Sequence, residues 1–455
     1  MCYHNHLEGR RTALHRFKRM LSGLLCAALL MTLSGCVMTV DQMYVPPRRS
    51  ESYKNLQTLM DEYMTGLEYC APITGENQQS VQMADLNGDG LKEVVVFLRG
   101  SDENPLKVLI FRLVGEEYEP MSFIESTGTA FDQVEYIQFD GKPGLELVVG
   151  RQVSDQVRRN VTVYSFHGGE PEQLLTVNYQ KFLTLDMNMD SRGDLFVLRP
   201  GRTEADCGVV ELYSAADGNV DRSAEVSLSQ SVGQLKRIMT GSLHDGERAV
   251  FVASLVDAGT IVTDVYALVG GELTNVSMSS ESGTSVNTVR NYYVYAEDID
   301  SDGTLELPSL ITMRAPTLER SGDREHLIRW YSLAADGTEH DKCYTYHNYL
   351  QGWYMELDEA LVGRLCVVPE DTGRYAFCLW DKNFENVQTL WTVYVLTGED
   401  RSNVAVEDGR FVLLKTDTVV YAAYLEDAAL EMGLTQESLT ERFYLIQSDW
   451  KTGEM

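Results

Sequence analysis

Between residues 81 and 425, short runs of Val, Ile, Leu, Phe and Tyr alternate with turns rich in Gly and Asp, at intervals of 8 to 15 residues. That pattern predicts short antiparallel strands, about four to a unit. One recurring element is an acidic loop running into an apolar strand: DLNGDGLKEVVVF from Asp85, DMNMDSRGDLFVL from Asp186 and DIDSDGTLELPSL from Asp298. Eroded copies lie between them, in Gln138 to Gly150 and in Gly241 to Ala253, so that loop starts fall about 48 to 57 residues apart. A second element follows each loop at a steady distance, an alternating strand ending in a turn, with its aromatic landmark at Phe111, Tyr164, Tyr213, Tyr266 and Tyr331. A sixth unit is fainter, in Glu370 to Trp380 and around Tyr394, and FVLLKTDTVVYAAYL reads as a half unit after it. Helical spacing is confined to the ends of this region. It predicts one helix over Tyr53 to Leu67 and another in LTQESLTERFYLI, where Thr435 stands as N-cap with Glu437 and Ser438 in the first turn.

A small four-stranded sheet cannot bury both its faces alone, so successive units must pack on one another. Radial packing leaves only short, protected edges. The expected fold is therefore all-β, a β-propeller of about six to seven four-stranded blades with a short N-terminal helix and a C-terminal helix; an open solenoid is the structural alternative. The expected division is 1–35 leader, 36–50 tether, 51–80 helix and lead-in, 81–425 propeller (weakest in 345–425), and 426–455 C-terminal helical segment.

Charge and cysteine usage sharpen this picture. Arg10, Arg11, Arg16, Lys18 and Arg19 precede an apolar run that ends in Leu33, Ser34, Gly35 and Cys36. The run suits a signal sequence and is short for a membrane span. Its end resembles the bacterial lipobox, which implies a lipidated Cys36, export, and attachment to the cell membrane through the lipid alone. The net charge of −30 disfavours nucleic acid and anionic headgroups as partners. Beyond Cys36 the cysteines are Cys70, Cys207, Cys343, Cys366 and Cys378. No zinc-type spacing joins them; a Cys366–Cys378 bridge and free buried thiols both remain open.

The acidic loops carry the candidate chemistry. Counting from the first Asp, oxygen ligands fall at positions 1, 3 and 5, a sharp turn at 6, an inward backbone carbonyl at 7 and a closing carboxylate at 9. These are Asp85, Asn87, Asp89, Gly90, Leu91 and Glu93 in the first loop, and Asp298, Asp300, Asp302, Gly303, Thr304 and Glu306 in the last. An all-oxygen shell on a tight turn is what Ca²⁺ prefers. The closing acid at 9 instead of 12, leading into a strand, distinguishes the loop from an EF-hand. It resembles the FG-GAP or VCBS repeat of integrin-like and bacterial surface propellers, which implies two structural Ca²⁺ sites. A third loop, with Asp186, Asn188, Asp190, Arg192 and Asp194, has Ser191 where Gly is wanted, and is expected to be weaker. The two eroded copies are expected to bind no metal.

No nucleophile elbow, HExxH, P-loop or dinucleotide fingerprint occurs, so no catalytic residue is assigned. The expectation is an extracytoplasmic binding module for an envelope protein or glycan, not an enzyme. The competing readings are a polysaccharide hydrolase or lyase on a propeller scaffold and an envelope-assembly accessory.

Overall fold

The computed structural model describes residues 51–153, 159–199, 201, 206–216, 219–229, 235–256, 259–291, 294–315, 325–370 and 373–446. The expected leader, Cys36 and the tether lie outside them. Two compact units are distinguished. Of the described residues, the smaller combines Glu51–Tyr63 with Val114–Glu119. Its helix α1 is Glu51–Tyr63, on which Leu56 is buried and Leu59 and Met60 half-buried. The Tyr118 backbone N–H donates to Asn55 Oδ1 at 2.6 Å. The helix ends earlier than the periodicity predicts, since Gly66 turns the chain with φ of 80°.

The strands of the described residues form six antiparallel sheets. The first holds β1 (Glu68–Tyr69), β2 (Val81–Ala84), β3 (Glu93–Arg99), β4 (Leu106–Val114) and β5 (Glu117–Ser126). The second holds β6 (Ala130–Ile137), β7 (Glu146–Gln152), β8 (Arg159–Ser165) and β9 (Glu172–Tyr179). The third holds β10 (Lys181–Leu185), β11 (Asp194–Arg199), β12 (Val209–Ala216) and β13 (Asn219–Ser227). The fourth holds β14 (Leu235–Ser242), β15 (Arg248–Leu255), β16 (Ile261–Val269) and β17 (Glu272–Asn275). The fifth holds β18 (Leu307–Thr312), β19 (His326–Leu333), β20 (Glu339–Asn348) and β21 (Trp353–Leu357), and the sixth holds β22 (Leu365–Pro369), β23 (Arg374–Trp380), β24 (Val387–Leu396), β25 (Phe411–Lys415) and β26 (Val420–Leu425).

The sequence of each strand explains its place. The runs EVVVFLR, ELVVGRQ and DLFVLR are buried almost without interruption, whereas the outer strand β5 alternates. A strand buried on both faces needs a neighbouring sheet on each side. Those neighbours are the preceding and following units. Phe97 and Phe131 meet edge to face at 5.1 Å between the first and second sheets; Phe182 and Val163 join the second and third, and Phe196 and Tyr266 the third and fourth. Phe251 and Leu307 join the fourth and fifth, and Trp353 and Phe377 the fifth and sixth. Truncating any one of these buried rings to Ala should cost about 3–5 kcal/mol. This serial face-to-face packing of four-stranded meanders is a β-propeller architecture, and its six sheets agree with the number of repeats.

Three details depart from expectation. In the fifth sheet the strand before the acidic loop shrinks to a bridge between Glu297 and Glu306. The supposed half unit is the outer hairpin of the sixth sheet, which runs β22-β23-β24-β26-β25. The C-terminal helix covers only Gln436–Glu441, after short helices α2 (Arg401–Val404) and α3 (Asp427–Glu431); it is α4. Thr435 caps it as predicted, accepting from the Ser438 N–H at 3.1 Å while its own N–H donates to Ser438 Oγ at 3.0 Å. The remainder of the predicted helix, Phe443–Leu445, is instead a strand, β27, paired with β21 of the fifth sheet. Phe443 stacks there on Trp353 at 5.3 Å. No helix among the described residues is long and apolar enough to cross a membrane.

Candidate metal-binding loops

Each acidic loop sits ahead of the buried second strand of its sheet, and its shape is set by hydrogen bonds from backbone to carboxylate. At position 1, Asp85 accepts from the N–H groups of Gly88 and Gly90 at 2.8 and 3.0 Å. Asp186 accepts from Asp190 and Ser191 at 3.0 and 2.9 Å, and Asp298 from Asp302 and Gly303 at 2.9 and 3.0 Å. At position 5, Asp89, Asp190 and Asp302 each accept from the N–H two residues on, those of Leu91, Arg192 and Thr304. Position 6 is left-handed in all three, with φ of 86° at Gly90, 69° at Ser191 and 89° at Gly303. Ser191 therefore holds a conformation that glycine adopts without steric cost.

The closing acid at position 9 begins or adjoins the second strand and reaches back to the N–H of position 2. Glu93 meets Leu86 at 2.8 Å, Asp194 meets Met187 at 3.0 Å and Glu306 meets Ile299 at 3.2 Å. All three are buried. Burial pushes their carboxyls above the ordinary range, with Asp89 and Asp85 adding repulsion at Glu93; Glu306 is pushed up to about 7, with Asp300 and Asp302 contributing. The next residue of the strand pairs with the aromatic landmark: Val94 with Phe111, Leu195 with Tyr213, Leu307 with Tyr331. Loop and landmark thus keep one phase because they are fixed to adjacent strands.

What the loops hold at their centres differs. In the first, the Asn87 amide donates to Asp89 Oδ2 at 3.2 Å and Glu93 Oε1 at 3.0 Å. Among the described residues, no Lys, Arg or His forms an ion pair with Asp85, Asp89 or Glu93. In the third sheet Arg192, expected to contribute only its carbonyl, turns its guanidinium onto Asp190 at 2.8 Å; burial favours the neutral Asp190, but the hydrogen bonds from Arg192 outweigh it and hold the carboxyl down. In the fifth, Lys342 of β20 reaches across to Asp300 Oδ2 at 2.7 Å and also meets Asp302. The Lys342 ammonium lowers Asp302 to about 2. Asp298, Asp300 and Glu306 nonetheless bring donor atoms within 4.8 Å of one another and could hold a metal ion.

The eroded loop from Gln138 departs most from the prediction. It keeps the frame, with Glu146 Oε2 accepting from the Phe139 N–H at 2.6 Å and Gln138 Oε1 from Gly141 at 2.7 Å. His167, from the turn after β8, points into it. Asp140, Glu146 and His167 form a second set of donors within 4.8 Å. The sequence signal was the landmark, since His167 follows Tyr164 by three residues and that turn abuts the loop. The other eroded loop behaves differently: its His244 ring stacks on His340 at 3.7 Å, and Asp245 accepts from the Ala335 N–H.

Elsewhere, a polar cavity of about 400 Å³ between the fourth and fifth sheets is lined by residues that include Ser279, Glu281, Asn287, Asp336 and Glu339.

No protein-family model and no curated protein matches the chain. Similar solved structures include a protein from Lactobacillus plantarum (9% identity, TM-score 0.29, covering 70% of this chain and 85% of that one). A rhamnogalacturonan lyase from Bacillus licheniformis is similar at 13% identity and TM-score 0.29, covering 59% and 64%. Sqt1 from Saccharomyces cerevisiae is similar at 11% and 0.30, covering 79% and 100%. These likenesses are distant, and no residue role is carried over from them.

Proposed function

We propose that this chain is a lipid-anchored, extracytoplasmic propeller of the FG-GAP or VCBS type, whose acidic loops take Ca²⁺ and which binds an envelope protein or glycan. The observation that carries the calcium assignment is the loop from Asp85 to Glu93. Its carboxylates are oriented by backbone N–H groups, and only a neutral amide, that of Asn87, lies between Asp89 and Glu93. Rotation of that amide would offer its oxygen to a cation and relieve repulsion among Asp85, Asp89 and Glu93. The donor types suit a hard cation, since Asp85, Asn87, Asp89, the Leu91 carbonyl and Glu93 supply only oxygen; of the three acidic loops, Asp298, Asp300 and Glu306 are the set whose carboxylate donors already lie within 4.8 Å of one another. The ion would stiffen the loop and raise stability through linkage, since the unfolded chain has no such site.

The polar cavity between the fourth and fifth sheets supports a glycan as the partner, because hydroxyl, amide and carboxylate groups converge there. The deciding experiment is thermal unfolding with Ca²⁺ and after chelation, paired with a pull-down from envelope extracts under both conditions. An unchanged melting temperature would remove the calcium assignment. Equal labelling by a clickable fatty acid in wild type and Cys36→Ala would remove the anchor.

A further inference from the structure

The loop from Gln138 to Glu146 carries donors of a different kind from the oxygen-only loops. Gln138 replaces the carboxylate at position 1 and Lys142 the one at position 5, which weakens the loop for a hard cation; His167 adds an imidazole nitrogen. We propose that Asp140, Glu146 and His167 form a separate binding site for a borderline divalent transition cation of the Zn²⁺ class.

The three side chains converge through hydrogen bonds and ion pairs that a cation could replace. His167 Nε2 lies 3.2 and 3.1 Å from the two Asp140 oxygens and 3.3 Å from Glu146 Oε1. Donors bonded to tetrahedral zinc at about 2.0 Å are separated by about 3.3 Å. Glu146 is 1% exposed; its Oε2 is fixed by the Phe139 N–H, whereas its Oε1 accepts no hydrogen bond and faces the His167 ring nitrogen at 3.3 Å. A buried carboxylate oxygen that accepts no hydrogen bond is costly unless a cationic partner meets it closely. A cation bound there does so. The Asp140 side chain is 1% exposed; the Lys142 ammonium that now holds it at 2.8 Å belongs to a side chain 53% exposed and can swing into solvent when the metal enters. His167, with its side chain 21% exposed, marks the way in. Three protein donors leave one tetrahedral position for water or for a donor from a ligand. Imidazole with carboxylate suits zinc and its neighbours better than calcium.

The test is equilibrium dialysis of Zn²⁺ against the full chain in buffer saturated with Ca²⁺, so that the oxygen-only loops do not compete. The wild type should take up one tight equivalent. His167→Gln, at a partly exposed position, should lose it by ~100-fold in affinity, and Glu146→Gln likewise if its circular dichroism matches wild type. Asp85→Ala and His244→Gln should keep it. With Co²⁺ as the probe, the wild type should show the intense visible absorption of a four-coordinate ion, and His167→Gln should not. The proposal is overturned by the absence of a tight Zn²⁺ equivalent, by equal uptake in His167→Gln, by displacement with Ca²⁺, or by loss in His244→Gln, which would move the ion to the stacked His244–His340 pair. The calcium reading is judged separately, by chelation and melting, and either can fail alone.

Discussion

The first and fifth sheets carry the same nine-residue loop on a similar frame, in which the first Asp accepts from the position-6 N–H and the position-9 acid from the position-2 N–H, yet they meet its negative charge differently. Around Asp85 to Glu93 the chain supplies a neutral amide; around Asp298 to Glu306 it supplies the Lys342 ammonium from β20, two strands across the sheet. Two loops that look interchangeable in sequence therefore differ in what a cation must displace. The sheets also differ in their buried basic groups. In the first, the buried Lys107 pairs with Asp102 and Glu125. In the fifth, burial depresses His347 to about 3.

The widest separation between the two regions should come from Asp85→Ala and Asp298→Ala. At Ca²⁺ a hundredfold above the dissociation constant, the wild type should gain about 2.7 kcal/mol, and Asp85→Ala should lose most of that gain while Asp298→Ala retains it. Calorimetric melts of both variants with and without Ca²⁺ decide the point, and equal losses would erase the distinction. The next effect concerns acid. His347 titrates lower in the folded than in the unfolded chain, so the stability it secures is complete above its ordinary value near 6.5 and is lost as pH falls toward 3. Between pH 7 and pH 5 the loss should be about 2 kcal/mol, greatest in amides of the fifth sheet by hydrogen exchange. His347→Gln should flatten that limb, and an unaltered acid profile would rule the residue out.

A smaller shift is expected from Lys342→Met, which removes the built-in cation. Calcium affinity at the fifth-sheet loop should rise about tenfold, or about 1.4 kcal/mol, seen by titration in an Asp85→Ala background. An unchanged affinity would mean the lysine leaves without cost. The smallest is Ser191→Gly, which relieves a left-handed serine and should raise stability by about 1 kcal/mol; a lower melting temperature would contradict the strain assigned to that turn.

The comparison also explains what could be read in advance. The repeat was legible because a strand covered on both faces must be a continuous apolar run, as in EVVVFLR and DLFVLR, and because a fixed register ties each loop to its aromatic landmark. The loop frame was legible for the same reason, down to the capping of α4 by Thr435. Lys342 and His167 were not, since a residue 40 or 27 positions from its partner in the chain leaves no local pattern. At Arg192 a guanidinium and a carbonyl on one residue compete, and periodicity does not say which faces the acids. The last strands failed differently: FYL satisfies a helical stripe and a strand equally well, and only the open edge beside β21 decides between them.

That edge also has a consequence for the order of events at the ribosome. β21 is synthesised before the whole of the sixth sheet, yet its partner β27 arrives only after it, so Trp353 stays without its stacking ring through all the intervening synthesis. An unpaired strand edge is a template for mispairing. The fifth sheet is thus the last part of the propeller to be sealed, and a chain stalled just short of Phe443 would carry a nearly finished fold with one adhesive side.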